Sequence, residues 1–258
     1  MKQNFEEISI LSGVTQAKIA PERGGLVTSL SINNTEILYL DRETFDDLTK
    51  NVRGGIPLLF PNAGPLKGGL YNLPQHGFAR RMRWNTIVQN QKSITLQLLP
   101  TEETMKNYPF DFELKLTVEV DKNKLTHSMT VINTGDKPMP TAYGTHPYFA
   151  IPQEEKQRLI TNIENFNPKE VNWMEEIDKP FINPGLIKVQ MPGREITIEN
   201  DPNIFEFAII WHQAGKNFIC IEPWTRDDFA LDTPNQSLWI KPDESMILSI
   251  IIYAKIIN

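Results

Sequence analysis

A single cysteine, Cys220, stands among 258 residues. No intrachain disulfide can form, which suits a reducing compartment and leaves packing and hydrogen bonding to hold the fold. Positive charge is also scarce. The 26 Lys and Arg residues face 32 Asp and Glu residues, for a formal net charge of −6 and a pI of about 5.4. A broad nucleic-acid or anionic-membrane surface needs a positive field, so neither is expected. A small cationic pocket for one phosphate remains compatible. Long hydrophobic runs are missing too. The most apolar stretch, residues 246–257, is broken by Ser249, Tyr253 and Lys255. It is too short to span a bilayer as a helix, and its β-branched content suits a buried strand. Residues 1–7 contain no apolar signal-peptide region. The cytoplasm is the expected location.

Several functional motifs are absent. There is no His-x-His, His-x-x-x-His or Cys-x-x-Cys spacing of a metal site. Neither a P-loop, nor a dinucleotide fingerprint, nor a Gly-x-Ser-x-Gly elbow occurs. No internal repeat, low-complexity tract or linker divides the chain, so a single domain over residues 1–258 is expected.

What the sequence does contain is alternation. In residues 111–120, Phe112, Leu114, Leu116, Val118 and Val120 are apolar and the residues between them are polar. That is a strand with one buried face. Ile94, Leu96 and Leu98 repeat the pattern, as do Ile196 and Ile198. Further strands are expected at residues 7–11, 26–32, 36–40, 84–88, 125–133, 186–191, 205–211, 218–222 and 246–254. Turn signals such as Asn33-Asn34 and Pro192-Gly193 separate them. Helical pattern is confined to residues 42–49 and 102–108. Many strands, few helices and 19 prolines indicate an all-β, mainly antiparallel sandwich. Residues 150–185 have the weakest periodicity and read as a long loop or insertion.

Three local contexts could carry chemistry. The first joins Arg53-Gly54-Gly55-Ile56-Pro57-Leu58-Leu59-Phe60-Pro61 to Gln75-His76-Gly77-Phe78-Ala79-Arg80. Glycine and proline this dense make shaped loops, and two arginines with a histidine could line a polar pocket. Equally, His76 could cap a turn and the arginines could form surface ion pairs. The second is Gly144-Thr145-His146-Pro147-Tyr148-Phe149. Period two puts Gly144, His146 and Tyr148 on one side, and a histidine among aromatics suits a sugar site or an aromatic core. The third is Ile221-Glu222-Pro223-Trp224, where a partly buried glutamate ends an apolar strand. Burial raises a carboxylate pKa and suits it to act as a base, although pairing with an arginine for structure would also explain it. His127 shares parity with Leu125, Met129 and Val131 and reads as a half-buried structural residue. No role is assigned to His212. Asp227, Asp228 and Asp232 read as a solvated acidic turn rather than the second carboxylate of a glycosidase.

Taken in order, Arg53-Gly-Gly-Ile-Pro-Leu-Leu-Phe-Pro61, His76-Gly-Phe-Ala-Arg80 with the following Trp84, Thr145-His146-Pro-Tyr-Phe149 and Glu222-Pro-Trp224 resemble the aldose 1-epimerase (mutarotase) family. The turn at residues 240–245 is similar to the one before that family's last strand. The resemblance implies a β-supersandwich of two large twisted antiparallel sheets. It implies interconversion of the α and β anomers of an aldose, with neither metal nor organic cofactor. By the same resemblance, Glu222 matches the general base and His146 the acid that protonates the ring oxygen. His76 matches the second active-site histidine, and Arg53 and Arg80 match positions lining the sugar or sugar-phosphate pocket. Tyr148 and Trp224 are the aromatic candidates for sugar contact. The partner would be a small-molecule sugar or sugar phosphate, the protein a monomer or homodimer. The compact length and the arginines near His76 are similar to the hexose-6-phosphate branch. Thr145-His146-Pro147-Tyr148 is closer to the galactose type. No residue aligns with the aspartate that many galactose-type members carry between the second histidine and the glutamate. A non-catalytic sugar-binding protein on the same fold is the alternative reading.

Overall fold

The computed structural model describes residues 4–257. Its strands form sheets of eight, six, four and two members, and the paired strands run antiparallel. The largest sheet has Arg194–Asn200, Ser245–Ile256, Lys124–Asn133 and Phe112–Asp121 at its centre. Phe112, Leu114, Leu116, Val118 and Val120 are all buried while their neighbours stay partly accessible. Alternation in sequence has become alternation in burial, because successive side chains leave a strand on opposite faces.

The six-stranded sheet carries Ile177–Ile182, Phe207–His212, Phe218–Trp224, Gly144–Thr145 and Leu58–Leu59, with Tyr148–Ala150 also paired to Phe218–Trp224. One face of it (Ala208, Ile210, Ile219, Ile221) joins the main apolar core with Leu114, Leu116, Val118, Ile250 and Ile252 of the larger sheet. The other face carries Trp211, Tyr148, Cys220 and Phe218, and beside them Ile209 and Trp224 with Leu59 and Ala63. The expected sandwich is therefore present, and its smaller sheet has a second, separately packed face.

Several boundaries differ from expectation. The strand expected at residues 36–40 stops at Glu36, and Leu38 and Leu40 make only isolated bridges to Phe149 and Gly54. The helix expected at 42–49 is one turn, Arg42–Phe45, capped by the Asp41 side chain. Thr15–Ala20 forms a strand that the sequence concealed, since its buried residues include Thr15 and Ala17, small side chains with a weak apolar signal. Residues 150–185 are not one loop. They hold the 3-10 helix Gln153–Arg158 and the strand Ile177–Ile182, which completes one edge of the six-stranded sheet.

Lys156 fastens that segment. Its side chain is fully buried, and its ammonium donates to Gln153 Oε1 (2.9 Å), His212 Nδ1 (2.7 Å) and the Lys216 carbonyl (2.7 Å). All three donors of the ammonium are used. The opposite ring nitrogen of His212 donates to the Trp173 carbonyl at 3.1 Å. His212 is thereby fixed as a neutral tautomer, and burial with the nearby Lys156 charge lowers its pKa to about 4.

His127 is fully buried, not half-buried, and neither ring nitrogen has a hydrogen-bond partner. Burial lowers its pKa to about 4 as well. For both rings the unfolded chain takes up a proton near pH 6.5 that the folded chain refuses until about pH 4. Stability must fall as pH drops through that window. Urea unfolding at pH 7 and pH 4.5 should show the loss. His127→Leu should reduce it and should add about 1 kcal/mol at pH 7 by removing unpartnered polar atoms. An unchanged pH dependence in the variant would contradict this account.

Candidate active site

The site is assembled by strand register. Tyr148 faces Cys220 and Gly144 faces Trp224 on the same neighbouring strand, which sets His146 opposite Glu222. Such cross-strand pairs bring side chains into contact, and His146 Nε2 lies 3.2 Å from Glu222 Oε1. Strand order continues outward through Trp211, opposite Cys220, to Asp178, opposite Trp211. Glu222, Trp224, Trp211, His146, Tyr148 and Asp178 therefore occupy the same face of the six-stranded sheet, the one turned away from the main core.

Glu222 is 1% exposed and does not end its strand, which runs on to Trp224. Pro223 has no N–H to give, and a central strand normally rejects it for that reason. Here the neighbouring strand Gly144–Thr145 ends at Thr145, the residue opposite Pro223, just before His146 and Pro147. The missing donor is thus tolerated next to the Glu222–His146 contact.

Two loops supply the remaining wall. Tyr148 N donates to the Gly55 carbonyl at 2.9 Å and His146 N to the Pro57 carbonyl at 3.1 Å. At Gly54 (φ +137°) a Cβ would lie 2.5 Å from the Tyr39 carbonyl oxygen, so only glycine lets Arg53 enter the site at this point. At Gly77 (φ +63°) a Cβ would lie 2.1 Å from the Phe60 carbonyl oxygen. The preceding His76 itself has φ +68°, an uncommon conformation for a side chain of its size. That turn aims its ring between His146 (centroids 5.5 Å) and Trp224 (5.8 Å). His76 Nδ1 donates to the Ala63 carbonyl, leaving Nε2 as an acceptor.

These groups surround a cavity of about 180 Å³. Arg53, His76, His146, Glu222 and Trp224 of the expected set line it, joined by Gln75, Glu176, Asp178 and Trp211. Arg80 and Tyr148 sit just behind. The Tyr148 ring stacks on His146 at 4.6 Å, and Arg80 reaches the Gln75 carbonyl at 3.4 Å. The Arg53 guanidinium lies 4.9 Å from the Trp211 ring. Among the described residues neither Arg53 nor Arg80 has a carboxylate partner. Lys67 lines a different recess, and Arg81 is turned to Asn51.

Asp178 and Glu176 were not anticipated. They lie in the segment read as loop, and in Glu176-Ile177-Asp178-Lys179-Pro180 a single isoleucine among charged residues and a proline gives no alternation to mark a strand. Asp178 lies between His146 and Glu222 in the sequence and lines the cavity. Glu176 accepts from Trp211 Nε1 at 2.9 Å.

The electrostatics follow from burial. The Glu222 carboxyl is pushed well above the carboxylate range, first by burial and then by the charge of Asp178. The Trp224 N–H at 3.1 Å and Arg80 oppose the shift. His146 is held well below 6.5 by burial, then by His76, Arg80 and Arg53. His76 is lowered to about 3 by burial and by Arg80. These surroundings thus favour a protonated Glu222 beside a neutral His146. Donor atoms of His146, Cys220 and Glu222 also lie within 4.8 Å of one another, a geometry that could hold a cation. The Cys220 thiol is raised by burial and by Glu222. A metal there would have to displace protons from both Cys220 and Glu222, so the trio reads better as an acid–base pair packed on a thiol.

Antiparallel sheets folded as a sandwich, with paired histidines and a buried glutamate on one sheet face, define the aldose 1-epimerase class. This chain belongs to the aldose 1-epimerase family, whose model matches residues 8–167. It is similar to a solved protein, Slr1438 from Synechocystis sp. PCC 6803, with 28% identity and a TM-score of 0.92 over 99% of this chain and 98% of that one. A "galactose mutarotase related enzyme" from Lactobacillus acidophilus shares the fold, with a TM-score of 0.78, 21% identity and 97% coverage of both chains. A protein of Cenchrus ciliaris named "Putative glucose-6-phosphate 1-epimerase" is 26% identical in an alignment that covers 78% of this chain and 72% of that protein.

A carboxyl whose folded pKa exceeds its unfolded value destabilises the fold as pH rises above about 4.5, since only the unfolded chain releases the proton. Glu222→Gln cannot ionise. The variant should unfold at higher temperature than the parent at pH 7, and its advantage should shrink at pH 5. A lower melting temperature at pH 7 would show that Glu222 is stabilised in place by partners rather than strained by burial.

Proposed function

We propose that this chain is a mutarotase, interconverting the α and β anomers of an aldohexose or a hexose 6-phosphate by proton transfer through Glu222 and His146. The observation that carries the reading is the direct contact of a buried carboxyl with a buried imidazole, 3.2 Å apart, on the floor of a cavity of about 180 Å³. Family membership supports the same class of reaction.

The steps balance without a cofactor. Glu222, as carboxylate, takes the proton of the C1 hydroxyl while the His146 imidazolium gives a proton to the ring oxygen. The C1–O5 bond breaks and an aldehyde with a free O5 hydroxyl forms. The C1–C2 bond rotates, His146 recovers the O5 proton, Glu222 returns its proton to O1, and the ring closes on the other face. Each such transfer is worth about 10²–10⁴-fold. After ring opening Glu222 carries the proton and His146 is neutral. That is the charge state which burial favours, so the environment is matched to the open-chain intermediate. The Trp224 N–H and the Arg80 charge act in the other direction, making the carboxylate accessible when the cyclic sugar is bound. Neutral His76, donating through Nδ1, keeps Nε2 free to accept a sugar hydroxyl. Asp178 adds a further acceptor for hydroxyls. Arg53, without a carboxylate partner at the Trp211 end of the cavity, is available to hydroxyls or to a phosphate.

Saturation-transfer NMR of glucose, galactose and glucose 6-phosphate tests the reading. The parent protein should accelerate anomer exchange and Glu222→Gln should reduce it at least about 10²-fold. Folded protein that accelerates none of the three would favour the non-catalytic sugar-binding alternative. Arg53→Gln should weaken the phosphorylated sugar far more than the neutral ones if phosphate is the preferred ligand, and all three alike otherwise.

The Glu222–His146 pair holds one proton as long as pH stays above the lowered His146 pKa and below the raised Glu222 pKa. Exchange rate should therefore be flat through the neutral range, falling in acid as His146 gains a second proton and in alkali as Glu222 loses the only one. A steep step near pH 6.5 in initial-rate profiles would contradict this.

A further inference from the structure

A phosphate or sugar hydroxyls would occupy the arginines of the cavity, but its two edge carboxylates have no partner of opposite charge. Glu176 stands just before the strand Ile177–Ile182 and Asp178 within it, and both line the cavity. Residues two apart on a strand share a face. Ile177, between them, is turned into the main core. Like charges so placed repel, and partial burial together with the Glu176 charge raises the Asp178 pKa. Among the described residues neither carboxylate is in an ion pair. Glu176 accepts one hydrogen bond, from Trp211 Nε1 at 2.9 Å. Arg53, the one Lys or Arg side chain among the residues lining the cavity, lies over the Trp211 ring at 4.9 Å instead of on a carboxylate.

The Asp178 charge bears on the reacting groups. It raises the pKa of Glu222 and of Cys220, and that of Asp228 nearby. Asp178 faces Trp211, Trp211 faces Cys220, and Glu222 is two residues further along that strand, roughly 6.6 Å. A cation set between Asp178 and Glu222 would relieve the repulsion at the sheet edge. It would also make the Glu222 carboxylate, the form that takes the C1 hydroxyl proton, easier to reach. The lining residues supply no such cation, but a substrate can. With C1 at Glu222 and the ring oxygen at His146, C2 is the other ring neighbour of C1 and lies on the side away from His146. An ammonium on C2 offers three donors, enough for Asp178 and for the second oxygen of Glu176. Charge-assisted bonds of this kind are about twice as strong as neutral ones. A hydroxyl on C2 donates once and cancels no charge.

We propose that the cavity selects a 2-amino-2-deoxyaldose, whose ammonium group is held by Asp178 and Glu176 while C1 lies at Glu222 and His146. The proposal rests on the mutarotase reading for the reaction, and on the lining residues alone for binding. It holds for a free or a 6-phosphorylated sugar, since Arg53 and Arg80 remain available. Binding and anomer exchange should be measured for glucosamine against glucose, and for glucosamine 6-phosphate against glucose 6-phosphate, at pH 6.5. Within at least one pair the amino sugar should bind about fivefold more tightly and exchange with the higher kcat/KM. Asp178→Asn should bring that ratio close to unity, and Glu176→Gln should lower it. Raising the pH past about 8, where an amine of the α-amino type loses its proton, should do the same in the parent protein. N-acetylglucosamine, which keeps the nitrogen without its charge, should bind no better than glucose. Equal affinities within both pairs would overturn the proposal, as would a preference that survives Asp178→Asn or the loss of the amine's charge. NMR titration of Glu222→Gln with the same sugars separates the two ideas. A charge-dependent preference in binding upholds the selection even if no sugar exchanges anomers. Accelerated exchange of glucose without that preference upholds the mutarotase and overturns the selection.

Discussion

Everything at this site depends on the contact between His146 and Glu222, and that contact is a consequence of register. Two antiparallel strands whose pairing is fixed at Gly144–Trp224 and Tyr148–Cys220 have no freedom to place His146 elsewhere. A one-residue slip of either strand would turn its own member of the pair into the main core and break the contact. The pair is also dry, with 5% and 1% exposure. In such surroundings separated charges are costly, whereas a protonated carboxyl beside a neutral imidazole is not. The arrangement thus keeps Glu222 and His146 in contact with neither group charged.

The loops that complete the cavity are constrained by approach distance rather than by hydrophobicity. Gly54 and Gly77 stand where a backbone carbonyl of another segment comes within reach of a missing Cβ. The dense glycine and proline of these stretches is therefore a packing requirement, and it delivers Arg53 and His76 to positions that regular strands could not supply. Lys156 does for the far wall what the glycines do here. Its three hydrogen bonds hold residues 153–158 and 216 against His212, next to the Trp211 that lines the cavity.

The architecture was legible because it is written in local alternation. Phe112–Asp121, Lys124–Asn133 and Leu186–Met191 declare their buried faces residue by residue. His76, His146 and Glu222 were legible because their neighbours are unusual, and the order of the motifs pointed to a family. Asp178, Glu176 and Trp211 were not. Their placement comes from pairing across the edge of a sheet, Asp178 to Trp211, and an edge strand with charged and proline residues has no periodic signature. Lys156 was illegible for a similar reason: nothing in Gln153–Arg158 distinguishes a buried lysine from an exposed one until three acceptors converge on it. Contacts between distant segments, rather than local preference, fix these residues.

The division of the small sheet into two faces explains how the molecule tolerates the candidate site. A protonated carboxyl, a neutral imidazole with an unpartnered Nδ1 and an arginine with an unpartnered Nε are each unfavourable in a folded protein. All lie on the face turned away from the main core, against small clusters around Leu59, Ile209, Trp224, Tyr148 and Cys220. The opposite face, with Ala208, Ile210, Ile219 and Ile221, packs in the main core with residues of the eight-stranded sheet. One strand, Phe218–Trp224, carries both jobs by alternation, with Ile219 and Ile221 anchoring it and Cys220, Glu222 and Trp224 turned to the cavity. The rigidity of the core side holds Glu222 within a fixed distance of His146, while the destabilising electrostatics are confined to a layer one side chain deep.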